Sequence, residues 1–535
     1  MMLEIDLEDR IVTRHLQLAA ESCPDRVFLK FGADTHSFGA FDLACTRAAN
    51  TLGKLGLERG GSLGIFARNS YAFVLSWFAA TRLGALYVPI NTEYQGEVLK
   101  YQLSNASVTH LLVDPDFLER LDTIATDLPL LRHIILPQDA EVPDGLRHRF
   151  DITTVEQLLL GSEASIDAGV GYADPIAISF TSGTTGPSKG VIATNAHVVN
   201  YALDWSNLMS YRPGEIIHTP LPLFHAIGAW MGVLPSLLYR NTISITPRFS
   251  ASAYWQEVRD AKADIAHGIF SMVPILMKQP PRDDDAAQPA RAFYNGNANP
   301  EFERRFKIQI IEAYGATETG IVAGTPFGEL RKGQSCGKIN GRSFEAMVAD
   351  EHDRPLPAGQ SGELLVRPRA PHVMFAGYHG KETATLEAMR NLWFHTGDRC
   401  RLDVDGHLYF LDRLRDTIRR RGENISSFEL EYAINKHPDI LECAAVPVAS
   451  ELGEFEVKIV VVLMEGAQMT AEAFWSFCIE ALPRFWVPSY LEFRDVMPKT
   501  GTQKIQKFQL TRIGGDHDTY AREWKSGKIT LIPRM

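Results

Sequence analysis

Thr181-Ser182-Gly183-Thr184-Thr185-Gly186-Pro187-Ser188-Lys189-Gly190 follows directly on the apolar run Ile176-Ala177-Ile178-Ser179-Phe180. The run has the length and composition of a buried strand, so the polar stretch reads as a loop leaving the end of a sheet. Glycines let a backbone approach an anion closely, amides and hydroxyls donate hydrogen bonds, and Lys189 adds a point charge. It is not a Walker A loop, because Gly190 rather than Ser or Thr follows the lysine. The same composition also suits an ordinary surface loop. The rest of the chain has to decide.

With 535 residues, the chain is longer than one hydrophobic core usually holds, and two or more domains are expected. Hydrophobic content of 45% and charged content of 22% are those of an ordinary globular protein. A formal charge of -11 and the lack of a long basic tract argue against a general nucleic-acid binder. The six cysteines are scattered without CxxC or metal-ligand spacing, which reads as free thiols in a reducing compartment. Acidic residues at Glu4, Asp6, Glu8 and Asp9 exclude a secretory leader. The apolar window Tyr71 to Ile90 is interrupted by Arg82 and Gly84, so a buried helix running into a strand is expected there, with no membrane span. No C-terminal address signal is recognised, and a cytoplasmic location is the default expectation.

Working outward from the loop, residues 1 to about 170 alternate helical and strand patterns. Helices are expected over Val12 to Ser22 and Asp42 to Leu55, and strands at 62–66, 86–90, 109–113 and 133–136. That alternation predicts an α/β sheet with crossover helices. Beyond the loop, Val198 to Met209 reads as a helix, and Phe293-Tyr294 as a strand entering the turn Asn295-Gly296-Asn297. Ile308 to Glu312 is a strand leading into Tyr314-Gly315-Ala316-Thr317-Glu318. From Gly337 to Leu411 short strands and turns predominate, predicting a small β-rich subdomain. It contains Trp393-Phe394-His395-Thr396-Gly397-Asp398 and is followed by Asp412-Arg413-Leu414-Arg415-Asp416. A smaller α/β unit follows, opening with Arg420-Arg421-Gly422-Glu423-Asn424-Ile425. Near the end of the chain comes Met497-Pro498-Lys499-Thr500-Gly501-Thr502-Gln503-Lys504-Ile505.

In this order, these motifs resemble those of the adenylate-forming superfamily of acyl-CoA synthetases, beetle luciferases and peptide-synthetase adenylation domains. The likeness covers essentially the whole chain. Phe474 to Cys478, Pro488 to Glu492, Gln279-Pro280-Pro281 and Arg354 to Gly359 are most similar to the crotonobetaine/carnitine-CoA ligase-like synthetases. The resemblance implies an α/β fold. A large N-terminal domain over 1–412 would hold two α/β sheet subdomains and a small β-barrel-like subdomain at about 337–411. A hinge at 413–416 would join it to a mobile α+β C-terminal domain over 417–535.

It also implies ATP, Mg2+ and CoA, with a small carboxylic acid as substrate. Thr181, Ser182, Gly183, Thr184, Thr185, Gly186 and Lys189 would hold phosphates. Asn295, Gly296, Asn297, Tyr314, Gly315 and Thr317 would face adenine and its phosphates, and Asp398 and Arg413 the ribose. Asp398 suits that role because a carboxylate offers two acceptor oxygens. Glu318, a hard oxygen donor, would hold Mg2+ with Thr185 near the same phosphates. Lys504 would meet the reacting carboxylate and the α-phosphate. His225, Ala226, Trp230 and Tyr294 would line the acyl pocket. His225 stands where amino-acid-activating relatives place Asp, and an α-ammonium buried without a carboxylate would be costly. Arg415 would be the pivot, and Arg421, Gly422 and Glu423 the CoA loop. Two departures stand out: Arg421 occupies the place of a glycine, and so does Gln503. They keep open an amine or carrier-protein thiol as acceptor. A non-catalytic nucleotide-binding scaffold is the other alternative.

Overall fold

The computed structural model describes residues 3–181, 188–269, 272–294, 299–414, 418–420, 423–425, 427–449, 455–482, 486–499, 504–523 and 526–534. They form two compact units, Met1–Ala346 with Val366–Phe394, and Met347–Leu365 with His395–Met535.

The first unit is built on two large sheets. One runs Gly377–Tyr378, Lys189–Thr194, Pro175–Thr181, Leu86–Pro89, Ser62–Phe66, Val108–Val113, His133–Leu136, Asp151–Thr154. Its strands from Pro175–Thr181 to Asp151–Thr154 are parallel, whereas Lys189–Thr194 pairs antiparallel on both sides. Ser62–Phe66 is buried at every position, as a strand covered on both faces must be. The other sheet runs Gln309–Ile311, Ala292–Tyr294, Ile265–His267, Ile216–Thr219, Thr242–Ile245, Val27–Phe31, Asp34–Ser37.

The expected helix over 12–22 is present as Val12–Ser22. The helix expected from Asp42 begins instead at Phe38 and runs to Lys54. Ser37 caps it, accepting from the Ala40 amide at 3.2 Å, and Phe38 stacks on Phe28 with centroids 4.7 Å apart. The apolar window resolves into the buried helix Tyr71–Arg82 and the strand Leu86–Pro89. Arg82, the charge inside that window, is paired with Asp42 and Thr46 of the neighbouring helix, as a buried guanidinium requires. No helix among the described residues is long and apolar enough to cross a membrane.

The β-rich segment is where expectation and structure part. A barrel-like subdomain is expected over about 337–411, but the described residues give open sheets. One runs Ala313–Ala316, Gly320–Gly324, Lys338–Ile339, and another Phe344–Ala349, Ser361–Pro368, Phe394–Leu402, Leu408–Arg413. Barrel closure takes roughly five or more strands with a matched stagger, and the larger of these sheets has 4.

In the second unit a five-stranded sheet runs Ile440–Ala449, Phe455–Leu463, Tyr490–Arg494, Thr519–Arg522, Ile529–Ile532. Helices Ser427–Ile434 and Ala471–Ala481 pack on it through Leu430, Ile434, Phe474 and Trp475. The last two strands carry no clean alternation of buried and exposed positions, which is why periodicity alone does not reveal them. All six cysteines are free thiols.

Candidate active site

The polar loop joins two antiparallel strands, with Thr181 opposite Lys189 and Phe180 opposite Gly190. It therefore leaves the carboxyl end of a strand whose other neighbour is parallel, the edge where α/β sheets bind ligands. Thr181 Oγ1 donates to the Lys189 carbonyl at 3.4 Å. Ser188 is held from outside: the Tyr101 hydroxyl donates to its carbonyl at 3.0 Å, and Gln102 Nε2 to its Oγ at 3.4 Å. Ser182, Gly183, Thr184, Thr185 and Gly186 lie outside the described residues, as do Asn295, Gly296 and Asn297.

Tyr314, Gly315, Thr317 and Glu318 belong to a tight hairpin between Ala313–Ala316 and Gly320–Gly324, closed by the pair Ala316 and Gly320. A side chain at Gly315 would meet the Gly320 carbonyl oxygen at 2.2 Å, so the turn admits only glycine there. The Thr319 hydroxyl accepts from the Ala316 amide at 3.2 Å and fixes the turn that presents Glu318.

Glu318 and Lys189 are linked by a residue to which no sequence motif points. The Tyr378 hydroxyl donates to Glu318 Oε1 at 2.9 Å, and Lys189 Nζ lies 4.3 Å from the centroid of the same ring. Tyr378 is itself buried and fixed: it pairs with Val191 on the loop's returning strand, its amide donates to Thr385 Oγ1 at 2.9 Å, and its ring packs on Phe375. The Phe375 amide in turn donates to the Glu318 carbonyl at 2.9 Å. A hydrogen-bonded carboxylate beside an ammonium is a donor set that fits a hard divalent cation carrying phosphate oxygens.

Behind this edge lies an aromatic wall. Trp230 donates its indole N–H to the Tyr87 hydroxyl and meets the Tyr201 ring edge-on at 5.9 Å. Trp205 meets Tyr294 edge-on at 4.6 Å. Tyr201 lies against Gly320, and burial raises its hydroxyl pKa, with Tyr294 and Glu318 adding to the shift. His197, missed at the level of sequence, is fully buried and parallel to Tyr201, and burial holds its pKa down at about 3. His225 rests on Phe224 and is held at about 4 by burial. Ala226 is half-buried beside it. Both imidazoles are therefore neutral near pH 7, and the wall carries aromatic and imidazole surface rather than charge.

The remaining candidates fall in the second unit. Asp398 and Arg413 are register partners on neighbouring strands, with Arg413 Nε 2.8 Å from Asp398 Oδ1. Asp412 points the other way and accepts from the Ser427 amide at 2.6 Å, capping the first helix of the C-terminal segment. Lys507 extends the cluster, 2.7 Å from Ser427 Oγ and 2.9 Å from Glu431. Lys504 is exposed and stands next to Ile505, which forms an antiparallel bridge with Lys499. Arg415, Arg421, Gly422 and the Glu423 side chain lie outside the described residues. Among the described residues, Asp403, Asp405 and His407 bring metal-capable atoms within 4.8 Å of one another. A turn explains them, since Asp403 Oδ1 accepts from the amides of Asp405 and His407.

A family profile described as AMP-binding enzyme matches residues 16–379, and one described as AMP-binding enzyme C-terminal domain matches residues 429–504. The crotonobetaine/carnitine–CoA ligase of Salmonella agona (strain SL483) is 31% identical over 486 residues, covering 89% of this chain and 92% of its own. The enzyme of the same name from Salmonella typhi matches equally, at 31%. Among solved structures, ATP-bound MatB from Rhodopseudomonas palustris has a TM-score of 0.83 at 24% identity, over 94% of this chain and 98% of its own. O-succinylbenzoate coenzyme A synthetase (MenE) from Bacillus subtilis, in complex with ATP and magnesium ion, has a TM-score of 0.79 at 23% identity. That match covers 93% of this chain and 99% of its own. At these identities the structural likeness speaks for the fold.

Proposed function

Because the chain belongs to the AMP-binding enzyme family, we propose that it works as an ATP-dependent acid–CoA ligase. A carboxylate oxygen of the acid attacks the α-phosphorus of ATP, the bond to the β-phosphate breaks, and pyrophosphate leaves with the electron pair. The CoA thiolate then attacks the acyl carbonyl, and the bond to AMP breaks. A carboxylate is a poor electrophile because its carbonyl is already anionic; the mixed anhydride supplies a good leaving group. Protein catalysis of such nucleotidyl transfer is mostly positioning and charge neutralisation.

Residue roles follow from that chemistry. The loop from Thr181 to Lys189 takes the departing phosphates, Asp398 and Arg413 the ribose, and Lys504 the charge developing at the α-phosphate. Glu318, with Thr185, would hold Mg2+, which when bound neutralises phosphate charge. The segment 413–416 serves as the pivot between 1–412 and 417–535, and Arg421, Gly422 and Glu423 face CoA. The observation that carries the reading is the bridge from Lys189 through Tyr378 to Glu318, which brings the loop cation and the motif carboxylate to one edge.

The acid has an uncharged apolar or aromatic body. Neutral His225, Trp230, Tyr294 and Tyr201 supply ring surface, and no carboxylate among them would pair an α-ammonium. The relatives' names make crotonobetaine and carnitine necessary members of a test panel, since a quaternary ammonium binds to aromatic faces. Pyrophosphate release should be screened over aromatic, aliphatic, amino and betaine acids, with and without CoA. Release with an aromatic or apolar acid, and thioester formation once CoA is added, is the expected result. Release with α-amino acids alone, or adenylate that CoA never discharges, would overturn it.

A further inference from the structure

A lysine that must meet one phosphate needs its backbone held, because a misplacement of about 1 Å can cost on the order of 100-fold in rate. Around Lys504 the chain has little regular structure. Ile505 forms an isolated bridge with Lys499, the Gln506 amide donates to the Pro498 carbonyl at 2.8 Å, and a short helical turn, Lys507–Leu510, follows. Ile505 and Leu510 pack in one apolar cluster with Val446 and Val460, a contact that is strong but non-directional. Direction comes from Lys507, three residues beyond Lys504. Its Nζ lies 2.9 Å from Glu431 Oε1 and donates to Ser427 Oγ at 2.7 Å, two residues one turn apart on the helix Ser427–Ile434. Both partners are themselves fixed. The Ala445 amide donates to Glu431 Oε1 at 2.6 Å, and Ser427 donates its hydroxyl to Asp412 Oδ1 at 3.3 Å and its amide to Asp412 Oδ2 at 2.6 Å. A serine hydroxyl has one proton and two lone pairs; with the proton given to Asp412, the lone pairs serve Lys507.

We infer that Lys507 is a positioning residue for Lys504: by gripping Glu431 and Ser427 it fixes the register of the segment that presents Lys504 to the α-phosphate. The inference rests on the proposed reading of Lys504 as the group that meets that phosphate. Lys507, Ser427 and Glu431 all belong to 417–535, so the anchor travels with Lys504 whichever way the pivot turns. Burial pushes the Glu431 pKa up, and the Lys507 ammonium opposes the rise. Without Lys507 the carboxyl takes up a proton more readily, so the cost to folding is limited while the anchor is lost.

Two half-reactions separate this role from plain stability: ATP–pyrophosphate exchange, which uses Lys504, and CoA attack on preformed acyl-adenylate, which does not. Both are measured on the full chain with the acid that gives the most pyrophosphate release in the panel above. Lys507→Met should lower kcat for exchange about tenfold, with KM for ATP and the rate of thioester formation each changed less than about twofold. Added to Lys504→Ala, it should lower exchange no further, since a residue that acts through Lys504 then has nothing left to position. Glu431→Gln keeps the shape and loses the charge, and should give the same pattern at about threefold; it decides the outcome if Lys507→Met does not fold. Wild-type exchange in the deciding variant, an equal loss in both half-reactions, or a further loss on top of Lys504→Ala refutes the positioning role, because a merely structural lysine would behave that way. An unchanged exchange rate in Lys504→Ala defeats instead the assignment of Lys504 itself, and this inference with it.

Discussion

In the unit of Met1–Ala346 and Val366–Phe394, His15, His110, His197 and His267 are buried and His225 is half-buried, with pKa values held down by desolvation at about 3 to 4. In the unit of Met347–Leu365 and His395–Met535, the buried cations each stand beside a carboxylate. Arg420 contacts Glu456 and donates to Ser489 Oγ at 2.6 Å, and Lys458 Nζ lies 2.6 Å from Glu492 Oε2. His395, the buried imidazole of that unit, also has a carboxylate, Glu363, at 2.9 Å. An imidazole can give up its charge on burial, and its cost is then limited to unmade hydrogen bonds; guanidinium cannot, and ammonium does so reluctantly. The unit that carries the aromatic wall thus buries neutral imidazoles beside paired charges such as Arg82 with Asp42. The other tolerates buried charge only where a carboxylate accompanies it.

That contrast can be broken experimentally, and the largest effect should come from a residue that belongs to neither interior. Lys504 is exposed, so Lys504→Ala should leave the melting of both units unchanged. Losing a charge aimed at the transition state should still lower ATP–pyrophosphate exchange about 10²- to 10³-fold. An unaltered exchange rate would remove Lys504 from the chemistry.

Next in size, Glu492→Ala would leave the Lys458 ammonium buried beside Arg494. Stripping one partner from a buried pair costs about 3–5 kcal/mol, to be read from urea unfolding of the C-terminal unit within the full chain. Lys458→Met with Glu492→Leu should restore most of it. A loss as small as that of a surface pair would show the pair to be hydrated.

The histidines give the third effect. Their native pKa values lie below the ordinary imidazole value, so between about pH 6.5 and 4 the unfolded chain binds protons that the native chain refuses, and stability falls as pH falls through that window. Each such group contributes up to about 2 kcal/mol of loss by pH 5. The first unit should therefore unfold at a higher pH than the second, and His197→Phe should reduce its acid sensitivity. Asp204 works in the opposite sense. Burial raises its pKa to about 6, so its contribution favours the native state below the ordinary carboxylate range and is lost as pH rises through about 6. The smallest effect is a control that touches neither kind of group. Thr470 caps the helix Ala471–Ala481, accepting from the Ala473 amide at 3.2 Å. Thr470→Ala should cost about 1 kcal/mol at every pH.

Much of the first unit was legible because its elements are local and strongly patterned. The helix Val12–Ser22 and the strands Ser62–Phe66 and His133–Leu136 fall where spacing puts them, since burial on one face or on both writes itself into three to eight consecutive residues. The start of the helix at Phe38 was not legible. Its first turn is set by a cap at Ser37 and by stacking on Phe28, a contact made across the fold. The open sheets between Ala313 and Arg413 were misjudged for a related reason: short strands can be read along the chain, but whether they close into a barrel depends on stagger between strands distant in sequence.

The candidate site divides in the same way. By itself the amino-acid sequence determined the order of the loop, the Tyr314–Glu318 turn, Asp398, Arg413 and Lys504, and with it the family, because each motif is a short run whose chemistry needs those residue types side by side. Only the tertiary structure decided that Tyr378 stands between Lys189 and Glu318, that His197 is neutral beside Tyr201 and Trp230, and that Asp412 caps the helix at Ser427. A hydrogen bond across 60 residues, or a pKa set by what surrounds a ring, has no local pattern to announce it; it exists only once the chain has folded around it.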